Sequence, residues 1–364
     1  MLALGVRPVG AALGEVLPRE TLGAALRLMQ QSAAVAGSVL PQEAGLEWRE
    51  LANKLEAFEC FQQASTFRGL APGAGLSLEE ELQRTPGSFP ALWTAEGLGY
   101  ALAESAWAAA EPRRRLLADL PDRAVIPLHT GAALSFASRL LAAGQVRSAG
   151  GLERWIALWE ENAHPGYRGL AAEALGLVTR NLYPHRALRL GELLRSIAPE
   201  LADSFWHGVG RGLYFAPTHV LPWSGAAARA LEKAWREPPY GAGRRNATAG
   251  FAWALTLVNV RHPEVLAGVL SRQGREIRSA EAFANGVASA VLIWYDVAGL
   301  DPHLAAFLDY RPEEPRPGLA ALWRELVLAP CETAVGQTYP KLRQSGGLAA
   351  LFRCPPSGHE AAGP

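Results

Sequence analysis

Lysine is almost missing from this chain: Lys54, Lys233 and Lys341 are the only three among 364 residues, so arginine carries nearly all of the positive charge. We read that bias as a mark of GC-rich coding rather than of function. Cysteine is equally sparse. Cys60, Cys331 and Cys354 are odd in number and far apart, which excludes a disulfide framework and a CxxC metal site. They read as small buried hydrophobes or spare thiols of a reducing compartment. A charge surplus is missing too. The 35 basic residues balance 35 acidic ones, which argues against nucleic acid or an anionic membrane as the partner. No apolar run reaches the roughly 20 residues of a bilayer span, and the longest, 247–260, contains Thr248, Thr256 and Asn259. The opening MLALGVRPVGAALGEVLPRE is broken by an arginine and prolines, unlike a signal peptide. These absences point to a cytoplasmic protein without stable membrane insertion.

What is present is leucine and alanine at helical spacing. In GLERWIALWEE, Leu152, Trp155, Ile156 and Trp159 fall at i, i+3, i+4 and i+7, one buried helix face. Prolines and glycines punctuate between such stretches, and several prolines suit the first turn of a helix, where a missing N–H costs nothing. Alternating strand patterns are scarce. The fold class read from this pattern is all-α.

A small-residue signature recurs inside every second expected helix. Its copies begin at Gly97, Gly131, Ala174, Gly208, Gly250 and Gly286, spaced by 34 to 43 residues, and alternate copies recur every 76 to 78. The period predicts about six tandem helical hairpins, paired at about 77 residues, in a superhelix or a closed α/α ring. Glycine inside a helix costs about 1 kcal/mol relative to alanine, so its repeated use implies a packing gain. Positions i and i+4 share one flank, while position i+2 (Gly99, Ala133, Gly210, Ala252, Ala288) lies roughly 200° around. Each inner helix is therefore expected to nestle against a neighbour on both sides. The outer partners are expected near 112–120, 151–161, 184–197, 224–236, 263–272 and 302–308. The organisation reads as one continuous domain: a helical cap at 1–89, the repeat core at 90–310, a second helical cap at 311–353 and a flexible tail at 354–364.

No strong catalytic motif is present. Gly208-Val209-Gly210-Arg211-Gly212 lacks the preceding strand and the Gly-Lys-Ser/Thr of a phosphate loop, and GxSxG and HExxH are absent. Neither a metal nor a cofactor is implied. Register suggests one constellation. Glu96, Glu173 and His207 directly precede small-residue copies, as do Thr130, Ala249 and Asn285, and His129 stands beside Thr130. If the inner helices stand in register, Glu96, His129, Glu173 and His207 face one cavity as candidate catalytic groups or ligands; otherwise each satisfies a backbone carbonyl, a neighbouring helix or solvent. Arg211, flanked by two glycines mid-helix, requires an acidic partner such as Glu173 or an anionic ligand. Aromatic residues gather around the fourth copy (Phe205, Trp206, Tyr214, Phe215, Trp223) and in the next two inner helices (Trp253, Trp294, Tyr295). They form either core or an apolar ligand wall.

The blocks Ala95-Glu96-Gly97-Leu98-Gly99, His129-Thr130-Gly131-Ala132-Ala133, Ala249-Gly250-Phe251-Ala252 and, most closely, His207-Gly208-Val209-Gly210-Arg211-Gly212-Leu213-Tyr214-Phe215 resemble those of the UnbL-type enediyne biosynthesis proteins, a bacterial family of unknown function. The similarity extends over about residues 51–300. Two positions depart from the pattern: Glu173-Ala174 stands where the family has Asp-Gly, and His207 replaces its Gln. The resemblance implies an accessory role in polyene- or polyketide-derived specialised metabolism, with a hydrophobic intermediate held between inner helices. Glu96, His129, Glu173, His207 and Arg211 would be its polar contacts, and Trp206, Tyr214 and Trp253 its apolar wall. Two other expectations stand beside it. One is a non-catalytic repeat scaffold binding a partner protein; the other is an α/α hydrolase or lyase in which Glu96 and Glu173 converge.

Overall fold

The leucine- and alanine-rich stretches form helices. A computed structural model of the chain describes residues 19–67, 78–108, 116–117, 120, 124–144, 148–220, 225–313 and 318–356, and among these every regular element is helical, with no strand. The fold class is all-α. After α1 (Arg19–Val39) come α2 (Gln42–Ser65), α3 (Leu78–Arg84), α4 (Ser88–Ala108), α5 (Val125–Ala142), α6 (Ala149–Asn162) and α7 (Arg168–Leu182). The chain continues through α8 (Ala187–Ile197), α9 (Pro199–Phe215), α10 (Ala226–Arg236), α11 (Gly241–Asn259), α12 (Pro263–Gln273), α13 (Ala280–Ala298) and α14 (Pro302–Asp309). A last helical stretch, α15, covers 319–345, and a 3-10 turn follows at Leu348–Phe352.

Local chemistry sets the boundaries. Ser148, Ser279 and Asp301 cap α6, α13 and α14 by accepting from backbone N–H groups three residues on. Proline opens α9, α12 and α14 and the turn Pro184–Arg186 before α8. All six small-residue copies lie inside helices: α4, α5, α7, α9, α11 and α13. The expected outer helices appear as α6, α8, α10, α12 and α14, whereas 112–120 lies largely outside the described residues, as do Trp223 and the tail beyond 356. In sequence order α2, α4, α5, α7, α9, α11 and α13 each pack on the next.

The inner helices touch through their backbones. A Cβ on Gly131 would collide with the carbonyl oxygen of Glu96; Gly208 bears in the same way on Glu173, Gly250 on His207 and Gly286 on Ala249. Each of these four glycines thus sits on the carbonyl of the residue just before the preceding copy. The opposite flank reciprocates. Gly99 meets Leu128, Gly176 meets Phe205 and Gly210 meets Ala247, again carbonyl oxygens where a Cβ would be. The two-flank expectation holds in α4, where Gly97 faces α2 and Gly99 faces α5, and in α9, where Gly208 faces α7 and Gly210 faces α11. Such seats place a glycine C–H against a carbonyl, a contact worth about 0.5–1 kcal/mol, and they bring two helices close enough for dense dispersion contact. Between α5 and α7, where Ala133 and Ala174 replace glycine, no carbonyl is seated this way.

Early and late helices are also in contact. Phe89 of α4 lies 6.3 Å from Trp294 of α13, and Ser88 donates to Asp301 at 2.5 Å. Asn53 of α2 donates to Asn259 of α11 at 2.9 Å. One described helix, α5, is long and apolar enough to cross a membrane, but most of it is buried among its neighbours.

Candidate functional site

Residues one before and three after the start of each copy share a face, being i and i+4 on a helix. In α4, α7 and α9 that face points at the centre of the molecule and carries Glu96, Glu173, and His207 with Arg211. All four are buried, Glu173 and His207 completely. Arg211 Nη2 donates to Glu96 Oε1 at 2.6 Å, and Nη1 to Glu173 Oε2 at 3.4 Å. The guanidinium lies 4.8 Å over the ring of Trp253 from α11. His207 Nδ1 is 3.8 Å from Glu173 Oε1. The Arg–Glu bridge expected between inner helices is present, with a second carboxylate added.

Burial, reinforced by the charge of Glu173, holds the Glu96 carboxyl above its ordinary pKa in spite of Arg211. Burial alone would pull Arg211 down; the two carboxylates outweigh it and hold the guanidinium up. Glu96 and Glu173 do converge, but on a guanidinium. The neighbouring void is about 20 Å³, bounded by Phe58, Phe61, Trp93, Leu134 and Phe215 among others, and that is room for about one water. No substrate fits between a carboxylate pair here. The chain seals the other side itself: Phe352 packs 5.9 Å from His207 and 5.6 Å from Trp253, and the Cys354 N–H donates to Asn246 Oδ1 at 2.8 Å.

Three expected members lie elsewhere. His129 is not in the cluster. Its Nδ1–H donates to the Val125 carbonyl at 2.8 Å, its Nε2 accepts the His164 N–H at 3.0 Å, and its ring stacks on Tyr167 at 4.4 Å. It thereby pins the turn that leads into α7. Trp206 points to the outer layer, against Gly191 of α8 and Gly243 of α11. Tyr214 joins a second buried polar group that sequence reading did not find. Its hydroxyl accepts from Asn259 at 3.0 Å, and the Lys54 ammonium sits 3.9 Å over its ring while pairing with Glu50 at 2.8 Å. The available signals were Asn259 at the end of an apolar run and one of only three lysines, both pointing to polar groups needing partners.

Burial pulls the His129 imidazole down to about 4 from 6.5, against the hydrogen bond to Val125. A depressed folded-state value means that the unfolded chain binds the proton more readily. His129 therefore contributes stability that is intact above pH 6.5 and lost as pH falls through about 4, on the order of 3 kcal/mol in full. His219, pulled down to about 4 by burial, acts in the same direction. Urea midpoints measured from pH 7 to 4 are expected to drop, and His129→Leu is expected to flatten that slope while lowering the midpoint at pH 7. An unchanged slope in the variant would remove His129 from the account.

A far roomier recess lies apart from these, between α13 and α15. Its volume is about 740 Å³, and its walls are mostly apolar: Ala284, Ala288, Leu292, Ala329, Pro330 and Leu342, closed at one end by Leu351 and Pro355. Polar groups are few, among them Glu281, Asn285, Ser289, Glu325 and Thr333. The shape of α15 has a cause in its sequence. Pro330 and Pro340 stand inside an otherwise helical stretch, and each follows a π turn, Arg324–Leu328 and Ala334–Thr338. The wide turns absorb the clash that proline makes with the preceding turn of a helix. These two prolines mark the reshaped helix in the sequence, though not the groove beside it.

No family model, curated protein or solved structure matches the chain.

Proposed function

We propose that this protein binds an elongated, largely apolar small molecule in the groove between α13 and α15. The observation that carries the reading is the contrast in free space: about 740 Å³ in the groove against about 20 Å³ at the polar centre. Drug-sized ligands occupy pockets of about 300–1,000 Å³ with mainly apolar walls and a few polar groups. The ligand site moves accordingly from the middle of the inner row to its last helix and the C-terminal cap. A polyene- or polyketide-derived intermediate of specialised metabolism, the class implied by the resemblance of the glycine blocks, suits a long apolar trough. Glu96, Glu173, His207 and Arg211 then act as internal supports for the helices that present it. Within this reading the six copies form hairpins paired at about 77 residues and closed into an α/α ring. Support for closure comes from Phe89 against Trp294 and Ser88 bonded to Asp301.

The test is a fluorescent apolar probe. N-phenyl-1-naphthylamine is expected to brighten on binding the wild type, and Ala288→Trp, which fills the trough, is expected to weaken binding about tenfold or more. Equal binding by both proteins, or none by the wild type, would refute the groove reading. The scaffold reading has one observation of its own. Helix α1 leaves Leu28, Val35 and Val39 more than half exposed, a row for a partner protein. Loss of a co-purifying partner in Leu28→Glu with Val35→Glu, with probe binding retained, would favour it.

A further inference from the structure

The charges around the groove do not cancel. Glu281 and Glu325 line it, and among the described residues neither has a cationic partner. Arg353, the one cation among the lining residues, is committed elsewhere: its Nε and Nη2 both bond Asp203, at 3.1 and 3.0 Å. Other polar groups in the wall are short of donors. Asn285 Oδ1 is buried with nothing to accept from. Ser289, 4% exposed, lines the groove beside it. The helix behind them adds acceptors of its own. The Ala329 N–H reaches back to the Arg324 carbonyl and the Tyr339 N–H to that of Ala334. In that register the next carbonyls, those of Glu325 and Val335, fall to Pro330 and Pro340, which have no N–H to give.

Two exposed carboxylates at an apolar trough, with an orphan amide oxygen between its walls, suit a ligand that brings donors and positive charge. We infer that the groove selects a molecule with an apolar body and a protonated amine, and that Glu281, Asn285 and Glu325 recognise the amine. The inference rests on the groove reading above and narrows it to one chemical class. A neutral chain of equal length gains only the apolar contact, and a carboxylate of equal length meets like charge.

The experiment is isothermal titration calorimetry of the full chain with three probes of one length: n-decylammonium, n-decanol and n-decanoate. Decylammonium is expected to bind about tenfold tighter than decanol, and decanoate weaker than either. Glu281→Gln with Glu325→Gln is expected to bring decylammonium to within about twofold of decanol while decanol binding stays as in the wild type. The single variants serve where the double variant is unstable, each expected to give a partial loss. Equal affinity of decylammonium and decanol for the wild type overturns the amine inference, as does a preference that survives loss of both carboxylates. Ala288→Trp separates the two levels. If it blocks decanol while decanol and decylammonium bind alike, the groove stands and the amine falls; if it blocks neither probe, both fall.

Discussion

Gly208→Ala is expected to cost about 3 kcal/mol or more of folding stability, far beyond the usual effect of one methyl group. The added Cβ would strike the carbonyl oxygen, carbon and Cα of Glu173, all main-chain atoms of α7 that no rotamer change can clear. Only a shift of α9 against α7 relieves the collision. The same shift disturbs Gly210 on Ala247 and the Arg211–Glu173 bond, because both depend on the position of α9. Gly23→Ala, in α1 with open space around the new Cβ, is the control, expected to gain about 0.5–1 kcal/mol. Urea denaturation of the two variants beside the wild type gives the comparison. A Gly208→Ala protein as stable as its Gly23→Ala counterpart would mean that the two backbones do not meet.

Arg211→Met is the second large effect, a loss of about 3–5 kcal/mol, because it leaves Glu96 and Glu173 buried without their cation. The loss is expected to grow with pH. Glu96 already has a raised folded-state value, so its contribution is present below the ordinary carboxylate pKa of 4.5 and is lost as pH rises through the raised one. Without Arg211 that value climbs further, and more of the penalty falls at neutral pH. Denaturant midpoints at pH 5 and pH 8 check the direction, with the larger deficit due at pH 8. Adding Glu96→Gln and Glu173→Gln to Arg211→Met is expected to recover most of the stability, since replacing a whole buried ionic group is often neutral or better. No recovery in the triple variant would mean that the guanidinium acts through its packing on Trp253.

The legible part of this fold was the part written in small residues. Gly97, Gly131, Gly208, Gly250 and Gly286 announced both the inner helices and their close approach, because a glycine in a helix needs a reason. The receiving side of such a contact leaves no mark. Any residue has a carbonyl, so Phe61, which takes Gly97, did not reveal that α2 begins the row, and the sequence placed that helix in a cap. The polar centre was legible in its four members, Glu96, Glu173, His207 and Arg211, and His129 was added to them wrongly for a geometric reason. Glu96, Glu173 and His207 each precede their copy by one residue, whereas His129 precedes Gly131 by two. That single step turns a side chain about 100° around the axis, away from Glu96 and toward Val125 and Tyr167. The matching position belongs to Thr130, whose hydroxyl bonds the Ile126 carbonyl at 2.9 Å. Trp206, also two before its glycine, is turned outward by the same step. The groove was not legible, because it forms between α13 and a helix reshaped by two prolines, and its volume depends on tertiary spacing that no periodicity records.

The seal at the polar centre has a consequence for synthesis. Each inner helix can dock on the one the ribosome made just before it, so the row can assemble in the order of translation. Phe352 and Cys354 come after every helix they cover. Until they emerge, His207 and Trp253 of the nascent chain lack the cover that Phe352 gives them.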